Sequence, residues 1–228
     1  MSDRIIAACD GASKGNPGPA AWAWVVADAE GRPQRWEAGP LGSATNNVAE
    51  LTALERLLSA TDPAVPLEVR MDSQYAMNAV TKWIAGWKRN GWRTASNKPV
   101  ANRDLVARID ELLTDRPVEF RYVPAHQVDG DPLNAIADQA ASEAAVAQQP
   151  AGTVHGAEAP PVPDPASATR PASGGSRKSA AGKASSGRRT VISAKFPGRC
   201  SCGRAYEAGE KIARGDTGWG HPECAGTS

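Results

Sequence analysis

Short apolar runs alternate with stretches of helical periodicity over residues 4–147, and this alternation limits the fold more than any other feature of the sequence. Apolar runs bounded by turn residues are typical of buried strands, whereas apolar side chains three or four residues apart are typical of helices. The predicted strands are 4–10, 20–28, 34–38, 67–71 and 118–123. The first predicted helix begins at Thr45, and the others cover 73–87, 103–113 and 133–147. This order predicts an α/β domain with a mixed five-stranded sheet and flanking helices.

The composition divides the rest of the chain. Residues 148–190 are rich in Pro, Ala, Gly and Ser and have almost no large apolar side chains, which predicts a flexible linker. We therefore expect an α/β domain over 1–147, a linker over 148–190 and a small C-terminal module over 191–228. No apolar run approaches the ~18 to 20 residues of a membrane span, and the first ten residues lack a secretory pattern. These features predict a cytoplasmic protein with no membrane partner.

Charge is distributed unevenly between the two parts. Residues 1–146 contain 15 basic and 19 acidic side chains, a net charge of −4, whereas the remaining residues contain 11 and 6, a net charge of +5. The second half of the predicted linker contains six basic residues and no acidic one. Two interpretations stay open: a solubilising spacer, and a tether that binds nucleic acid loosely through its phosphates.

Four carboxylates stand out by their positions. Asp10 and Asp72 each end an apolar strand, Glu50 lies on the apolar face of its predicted helix, and Asp138 lies beside the apolar stripe of the last helix. Each alone has a simpler explanation, such as a turn, a helix cap or a solvated helix residue. Together, at the carboxyl ends of neighbouring strands, they would form an oxygen-ligand site for Mg²⁺ or Mn²⁺.

Several motifs resemble those of type 1 ribonuclease H over residues 3–146. They are DGASKGNPGPAAW, TNNVAELTAL, DSQYAMNAVTKWIAGWKRNGW, KPVANRDL and the PAHQ and LNAIADQAA pair, in the family's order. The resemblance implies the ribonuclease H-like fold and assigns catalysis to Asp10, Glu50, Asp72 and Asp138. It also implies hydrolysis of the RNA strand of RNA/DNA hybrids with two Mg²⁺ ions, which Mn²⁺ could replace. The products implied have 5′-phosphate and 3′-hydroxyl ends.

The resemblance also indicates residues around the metal site. His126 occupies the family's histidine position, which implies a role in proton shuttling or product release. Ala125 stands where the family usually has glycine, and the loop after His126 is longer than in the bacterial enzymes. The resemblance places further polar residues against the hybrid: Asn16, Asn46, Asn47 and Gln74 near the duplex, and Thr45 with Asn102 near a DNA phosphate. For Asn46 and Asn47, helix capping is the alternative.

A basic, tryptophan-containing stretch follows the second predicted helix. Lys88 and Arg89 belong to a cluster of cations in an otherwise acidic domain, and they resemble the family's basic protrusion, which grips the duplex. Trp83 and Trp87 are four residues apart, and we interpret them as helix packing rather than base stacking.

The C-terminal module has a second group of candidate ligands. Cys200 and Cys202 are followed, eighteen residues later, by His221 and Cys224. Three thiols and one imidazole match a tetrahedral Zn²⁺ site, and a segment this short needs such a crosslink to fold. The alternative is a tail with incidental cysteines. An additional nucleic-acid or protein contact through the linker and this module is also expected.

The sequence thus predicts a monomeric endoribonuclease that acts on RNA/DNA hybrids. Two alternatives belong to other classes. A hybrid-binding protein without turnover is disfavoured by the presence of all four acids, and another metal nuclease of the same fold is disfavoured by the TNNVAEL and DSQY motifs.

Overall fold

The computed structural model describes residues 4–125, 130–157, 159–163, 191–194, 197–200, 202–215 and 218–224. The chain forms two compact units, Met1–Gly175 and Ser176–Ser228. Within the described ranges, no helix has the length and apolar character needed to cross a membrane.

The first unit is built on one mixed sheet. Its strands are β1 Ile5–Ser13, β2 Gly18–Ala27, β3 Pro33–Ala44, β4 Leu67–Met71, β5 Val118–Tyr122 and β6 Ala151–Gly152, in the spatial order β5-β4-β1-β2-β3-β6. The β1/β4 and β4/β5 pairs are parallel and the other pairs are antiparallel. The predicted mixed sheet is confirmed, but it has six strands rather than five because the chain after the last helix adds β6 to β3.

Helices cover both faces of this sheet. They are α1 Asn46–Ala60, α2 Gln74–Asn78, α3 Ile84–Arg89, α4 Arg103–Leu113 and α5 Pro132–Ala147, with a π-helical turn, Ala79–Trp83, joining α2 to α3. Leucines of α1 pack with Val69, Met71 and α4 residues on one face. The alanine-rich face of α5 packs on the other, against small residues of β1 and β2. Alanines let α5 approach the sheet closely, because their side chains project little.

Two strands extend beyond their predicted ends. β1 continues through Ser13, so the expectation that Asp10 ends this strand is wrong. The antiparallel pairing with β2 runs from Ile6 opposite Ala27 to Ser13 opposite Ala20. Strand pairing depends on backbone hydrogen bonds, which continue after the apolar run has ended. For the same reason β3 continues to Ala44 rather than stopping at Ala38.

The segment after α5 is ordered against the sheet. β6 pairs with Glu37 and Ala38 of β3, and a single 3₁₀ turn, Thr153–His155, follows. The Trp36 backbone N–H donates to Thr153 Oγ1 at 3.1 Å. Residues 151–157 thus contact the sheet, although they come after residue 147, where the first domain was predicted to end. The strand in 148–157 could not be predicted from the sequence, because a strand of two residues produces no periodicity.

The described part of the second unit consists of short strands. These are β7 Val191–Ser193, β8 Gly198–Arg199, β9 Ala205–Tyr206, β10 Lys211–Gly215 and β11 Gly218–Gly220. β10 pairs with both β7 and β11, and β8 pairs with β9, all antiparallel.

Candidate active site

The parallel pairing of β1 and β4 sets two carboxylates side by side. Ala8 is paired with Arg70 in this ladder, and the same register continued by two residues aligns Asp10 with Asp72. Adjacent strands lie ~4.8 Å apart. Asp10 is 5% exposed and lies within β1, whereas Asp72 follows the end of β4 and is half-buried. The predicted pairing of these two acids at neighbouring parallel strands is confirmed.

A glycine brings the third carboxylate to this pair. A Cβ on Gly11 would lie 2.2 Å from the backbone carbon of Ala49 and 2.2 Å from the backbone nitrogen of Glu50. Only glycine therefore allows the first turns of α1 to approach β1 this closely. The Gly11 backbone N–H donates to the Glu50 carboxylate, and Asn46 Nδ2 donates to Glu50 Oε1 at 3.3 Å. Glu50 is 6% exposed, which places its charge inside the protein.

The last helix supplies Asp138. Asp131 begins α5 by accepting hydrogen bonds from the backbone N–H groups of Leu133 and Asn134, at 3.1 and 3.0 Å. Asp138 lies one helical turn after Asn134 and its carboxyl group hydrogen-bonds with that of Asp10. The structure thus brings together all four acids that the sequence indicated.

Asn134 is a site residue that the sequence analysis missed. It is buried, and its Nδ2 donates to Asp72 Oδ2 at 3.2 Å. Its Oδ1 has no hydrogen-bond partner among the described residues. The signal that could have found it is its spacing: Asn134 precedes Asp138 by four residues, so both side chains lie on one face of α5.

Burial and mutual repulsion disfavour the charged forms of these acids. Burial raises the pKa of Asp10 well above its ordinary value, and the charges of Glu50, Asp72 and Asp138 raise it further. Burial, followed by the charge of Asp72, likewise raises the pKa of Glu50. The neighbouring thiol of Cys9 also has a raised pKa, chiefly because it is buried.

The donor set fits a divalent metal. Ligand oxygens of Asp10, Glu50 and Asp72 all lie within 4.8 Å of one another. Glu50 Oε2 is buried and has no hydrogen-bond partner among the described residues, although an unpaired buried carboxylate oxygen is costly. A cation held by these oxygens removes that cost, and carboxylates are the ligands that Mg²⁺ and Mn²⁺ prefer.

The raised pKa values predict how pH affects the metal-free protein. A carboxyl whose pKa is raised on folding stabilises the protein below its unfolded pKa, ~4, and loses that contribution as pH rises through the folded pKa. In chelator, Glu50→Gln should therefore gain in melting temperature over the wild type as pH rises above ~4. Thermal melts of both proteins at several pH values measure this difference. Glu111→Gln, at an exposed position on α4, is the control for the replacement of glutamate by glutamine. A difference between Glu50→Gln and wild type that stays constant with pH would contradict the expectation.

Polar residues expected at the substrate lie near these acids. Asn16 Oδ1 accepts a hydrogen bond from the Asn46 backbone N–H at 3.3 Å, which fixes the loop after β1 against the start of α1. Thr45 caps α1, accepting from the Val48 N–H at 3.3 Å. Thr45 rather than Asn46 thus caps this helix, and the Asn46 side chain contacts Glu50. Asn47, next to it, is exposed.

Two more of these residues begin helices. Gln74 is the exposed first residue of α2, directly after Ser73, which caps that helix. Asn102 precedes α4 with a φ of 58°, in the left-handed region that asparagine tolerates better than most residues. Asn102 Nδ2 lies 3.5 Å from the Tyr75 hydroxyl, which links the start of α4 to α2.

The basic stretch lies at the end of α3. The Lys88 ammonium is 2.6 Å from the Asp110 carboxylate, and Arg89 is exposed. Trp87 packs against the core, as expected, whereas Trp83 is 39% exposed and packs on the rings of Tyr75 and Trp87, with centroid distances of 6.0 and 5.6 Å. The π-helical turn inserts a residue relative to α-helical periodicity, which interrupts the apolar stripe at Trp83. His126 lies outside the described residues.

The second unit contains the other predicted ligand group. One donor atom from each of Cys200, Cys202, His221 and Cys224 lies within 4.8 Å of the others. Cys202 Sγ is 3.6 Å from His221 Nδ1. Hydrogen bonding by the Arg204 backbone N–H is the main cause that lowers the pKa of Cys202 to about 6.

Comparison with known proteins identifies relatives of this chain. Residues 2–146 match the RNase H family. Ribonuclease HI of Streptomyces coelicolor is 70% identical over 225 residues, covering 98% of this chain and 97% of that protein. Ribonuclease H of Tropheryma whipplei is 43% identical over 145 residues, covering 63% and 86%. The crystal structure of LC9-RNase H1, a type 1 RNase H with the type 2 active-site motif, shares the fold, with a TM-score of 0.55, 21% identity, and coverage of 66% and 76%. These matches confirm the resemblance seen in the motifs: the chain belongs to the ribonuclease H family of metal-dependent nucleases.

Proposed function

We propose that this protein hydrolyses the RNA strand of RNA/DNA hybrids and leaves 5′-phosphate and 3′-hydroxyl ends. The observation that carries the proposal is the convergence of Asp10, Glu50 and Asp72 within 4.8 Å, with Asp138 hydrogen-bonded to Asp10. A buried group of like charges is unfavourable for folding, and divalent cations held by these carboxylates would remove that cost.

The cofactor that we propose is a pair of Mg²⁺ ions. Asp10 with Asp72 and Asp138 would hold one ion, and Asp10 with Glu50 would hold the other. When bound, such ions activate water as a nucleophile and neutralise charge on the phosphate and the leaving oxygen. The protein's contribution is to fix the carboxylates before substrate arrives: Gly11 and Asn46 orient Glu50, and Asn134 orients Asp72.

Recognition of the hybrid requires contacts with ribose 2′-hydroxyls across a wide minor groove. Short amide side chains beside the carboxylates suit this, because an amide both donates and accepts hydrogen bonds. Asn16, Asn46, Asn47 and Gln74 would take this role, and Thr45 with Asn102 would contact the DNA strand. We assign to His126 the transfer of a proton near the leaving oxygen, or the release of product.

The direct test is a digestion by the full-length protein with Mg²⁺. End-labelled RNA/DNA hybrid, duplex DNA and duplex RNA of one sequence are incubated side by side. The expected result is internal cleavage of the hybrid's RNA strand alone, with product ends that a 5′-phosphate-dependent exonuclease degrades. Cleavage of duplex DNA at a similar rate, or binding of hybrid without cleavage, would refute the proposal.

We attribute binding of the hybrid outside the metal site to the basic side chains at the end of α3. Replacing Lys88 and Arg89 together by Glu should raise KM for the hybrid by about tenfold or more, with a much smaller loss of kcat. The reason is that phosphate contacts contribute to binding throughout the reaction. Steady-state kinetics at low salt separate the two constants.

Arg32→Glu is the matched control for this charge reversal. Arg32 is an exposed cation in the turn between β2 and β3, and the β1/β2 register places this turn at the opposite end of the sheet from Asp10. Its reversal should leave KM nearly unchanged. A Lys88 and Arg89 variant that lost kcat while keeping KM would show that these cations do not serve binding.

A further inference from the structure

The geometry points to a closed Zn²⁺ site formed by Cys200, Cys202, His221 and Cys224, whose occupation holds the second unit in its folded form. This site is separate in sequence and in chemistry from the carboxylates of the nuclease. Sulfur and imidazole nitrogen are the ligands of zinc, whereas the nuclease site offers only oxygen.

The four side chains converge although they come from two parts of the unit. Cys200 and Cys202 follow β8, and His221 and Cys224 follow β11, yet their donor atoms lie within 4.8 Å of one another. Tetrahedral Zn²⁺ with bonds of ~2.0–2.3 Å places its ligand atoms ~3.3–3.8 Å apart. The distance of 3.6 Å between Cys202 Sγ and His221 Nδ1 falls in this range. The group therefore needs little adjustment to surround one ion.

Tight turns prepare each pair of ligands. The Gly203 N–H donates to the Cys200 carbonyl and the Cys200 N–H donates to the Arg204 carbonyl, both at 2.9 Å, which folds the chain around Cys202. Gly203 has a φ of 87°, a conformation that glycine adopts without strain. A second turn joins the other pair, since the Cys224 N–H donates to the His221 carbonyl at 2.9 Å.

Glycine at position 220 lets the two turns approach each other closely. A Cβ on Gly220 would lie 2.4 Å from Cys200 Sγ, so only glycine fits beside this thiol. The next residue, His221, donates its backbone N–H to the same sulfur at 3.4 Å. N–H donation to sulfur stabilises a thiolate, which is the form of cysteine that binds metal. The backbone of β11 is thus shaped around the Cys200 sulfur.

The described residues of the second unit bury little apolar surface. Among its described residues, the buried apolar side chains are Ala194, Cys200, Ile212 and Ala213. Three of these are small, and Cys200 is itself a ligand. Burial of so little apolar area does not offset the conformational entropy lost on folding, so a unit of this kind depends on a crosslink. Binding of Zn²⁺, with release of the three thiol protons to solvent, supplies that crosslink.

Four protein ligands fill the tetrahedral coordination shell. No position then remains for water or substrate, so the ion stabilises structure and takes no part in hydrolysis. The nuclease activity of the first unit is therefore independent of it, and each proposal can fail without the other.

The test begins with metal analysis of the full-length wild type, purified without added metal or chelator. We expect about one zinc per chain, as for a closed structural site. Cys202→Ser and Cys224→Ser should each lose most of this zinc and still cleave hybrid with Mg²⁺. Cys9→Ala removes the buried thiol of the first unit and should keep the zinc. Wild type with little zinc, with iron instead, or with zinc that both serine variants retain would overturn the proposal.

A spectroscopic measurement does not depend on the folding of a variant. Zinc is removed from the wild type with a zinc-selective chelator, and Co²⁺ is added. We expect the visible absorption of tetrahedral Co²⁺ together with a thiolate charge-transfer band, saturating at one equivalent. Hydrogen exchange should show that amides such as Ala194, bonded to the Glu210 carbonyl at 2.8 Å, lose protection without metal and regain it with zinc. Absence of the charge-transfer band, or equal protection with and without metal, would refute the site.

Discussion

Asp10→Asn is expected to lower hybrid cleavage by about 10²- to 10³-fold or more and at the same time to stabilise the metal-free protein. The loss of activity follows because Asp10 lies between the other three carboxylates, and an amide provides one weak oxygen ligand in place of a charged carboxylate. The gain in stability follows because the buried charge is repelled by its neighbours. Single-turnover cleavage with Mg²⁺ and thermal melts in chelator measure the two effects.

Asp104→Asn provides the control for both measurements. Asp104 is exposed in the first turn of α4, so its replacement should change neither cleavage nor melting temperature by much. An Asp10→Asn protein that cleaved hybrid at the wild-type rate, or one that melted at a lower temperature in chelator, would contradict the account of the site given above.

Gly11→Ala is expected to destabilise the protein by about 3 kcal/mol, because the new methyl group has no space. Its Cβ would lie 2.2 Å from backbone atoms of Ala49 and Glu50, and backbone cannot move aside as a flexible side chain can. Either α1 shifts away from β1 or the first unit unfolds more readily. The shift would also draw Glu50 away from Asp10, so the surviving folded protein should cleave hybrid more slowly.

Gly86→Ala is the matched control, with an effect of opposite sign. Gly86 lies in α3, and a Cβ there meets no atom within 4 Å. Alanine in a helix is favoured over glycine by about 0.5–1 kcal/mol, so this variant should be slightly more stable than wild type. Chemical denaturation gives both values. Equal stability of the Gly11→Ala variant and wild type would show that α1 does not need this close approach.

The carboxylates could be predicted from sequence because several signals coincide at each. Asp10 and Asp72 come at the ends of apolar runs that form neighbouring parallel strands. Glu50 lies on the face of α1 that the spacing of its apolar residues predicts to be buried. Such patterns reflect burial, which sequence reports well. The motifs added the family, and with it the roles expected of these acids.

Features set by tertiary contacts were not accessible in this way. Asn134 looks like an ordinary residue in the first turn of a helix, and only the packing of α5 on the sheet brings it to Asp72. The continuation of β1 to Ser13 depends on pairing with β2 rather than on its own composition. The exposure of Trp83 depends on a π-helical turn that has no signature in the pattern of apolar residues.

The pairing of β6 with β3 has a consequence for where this nuclease ends. Glu37 is 7% exposed, and its Oε1 accepts the Val154 N–H at 2.8 Å, while β6 occupies the outer hydrogen-bonding edge of β3. The family match stops at residue 146, before Val154 and β6. A chain cut there would leave a buried carboxylate without its donor and an open strand edge of the kind that recruits other molecules into aggregates. The folded first unit therefore includes the short segment 151–157, which lies beyond the family match.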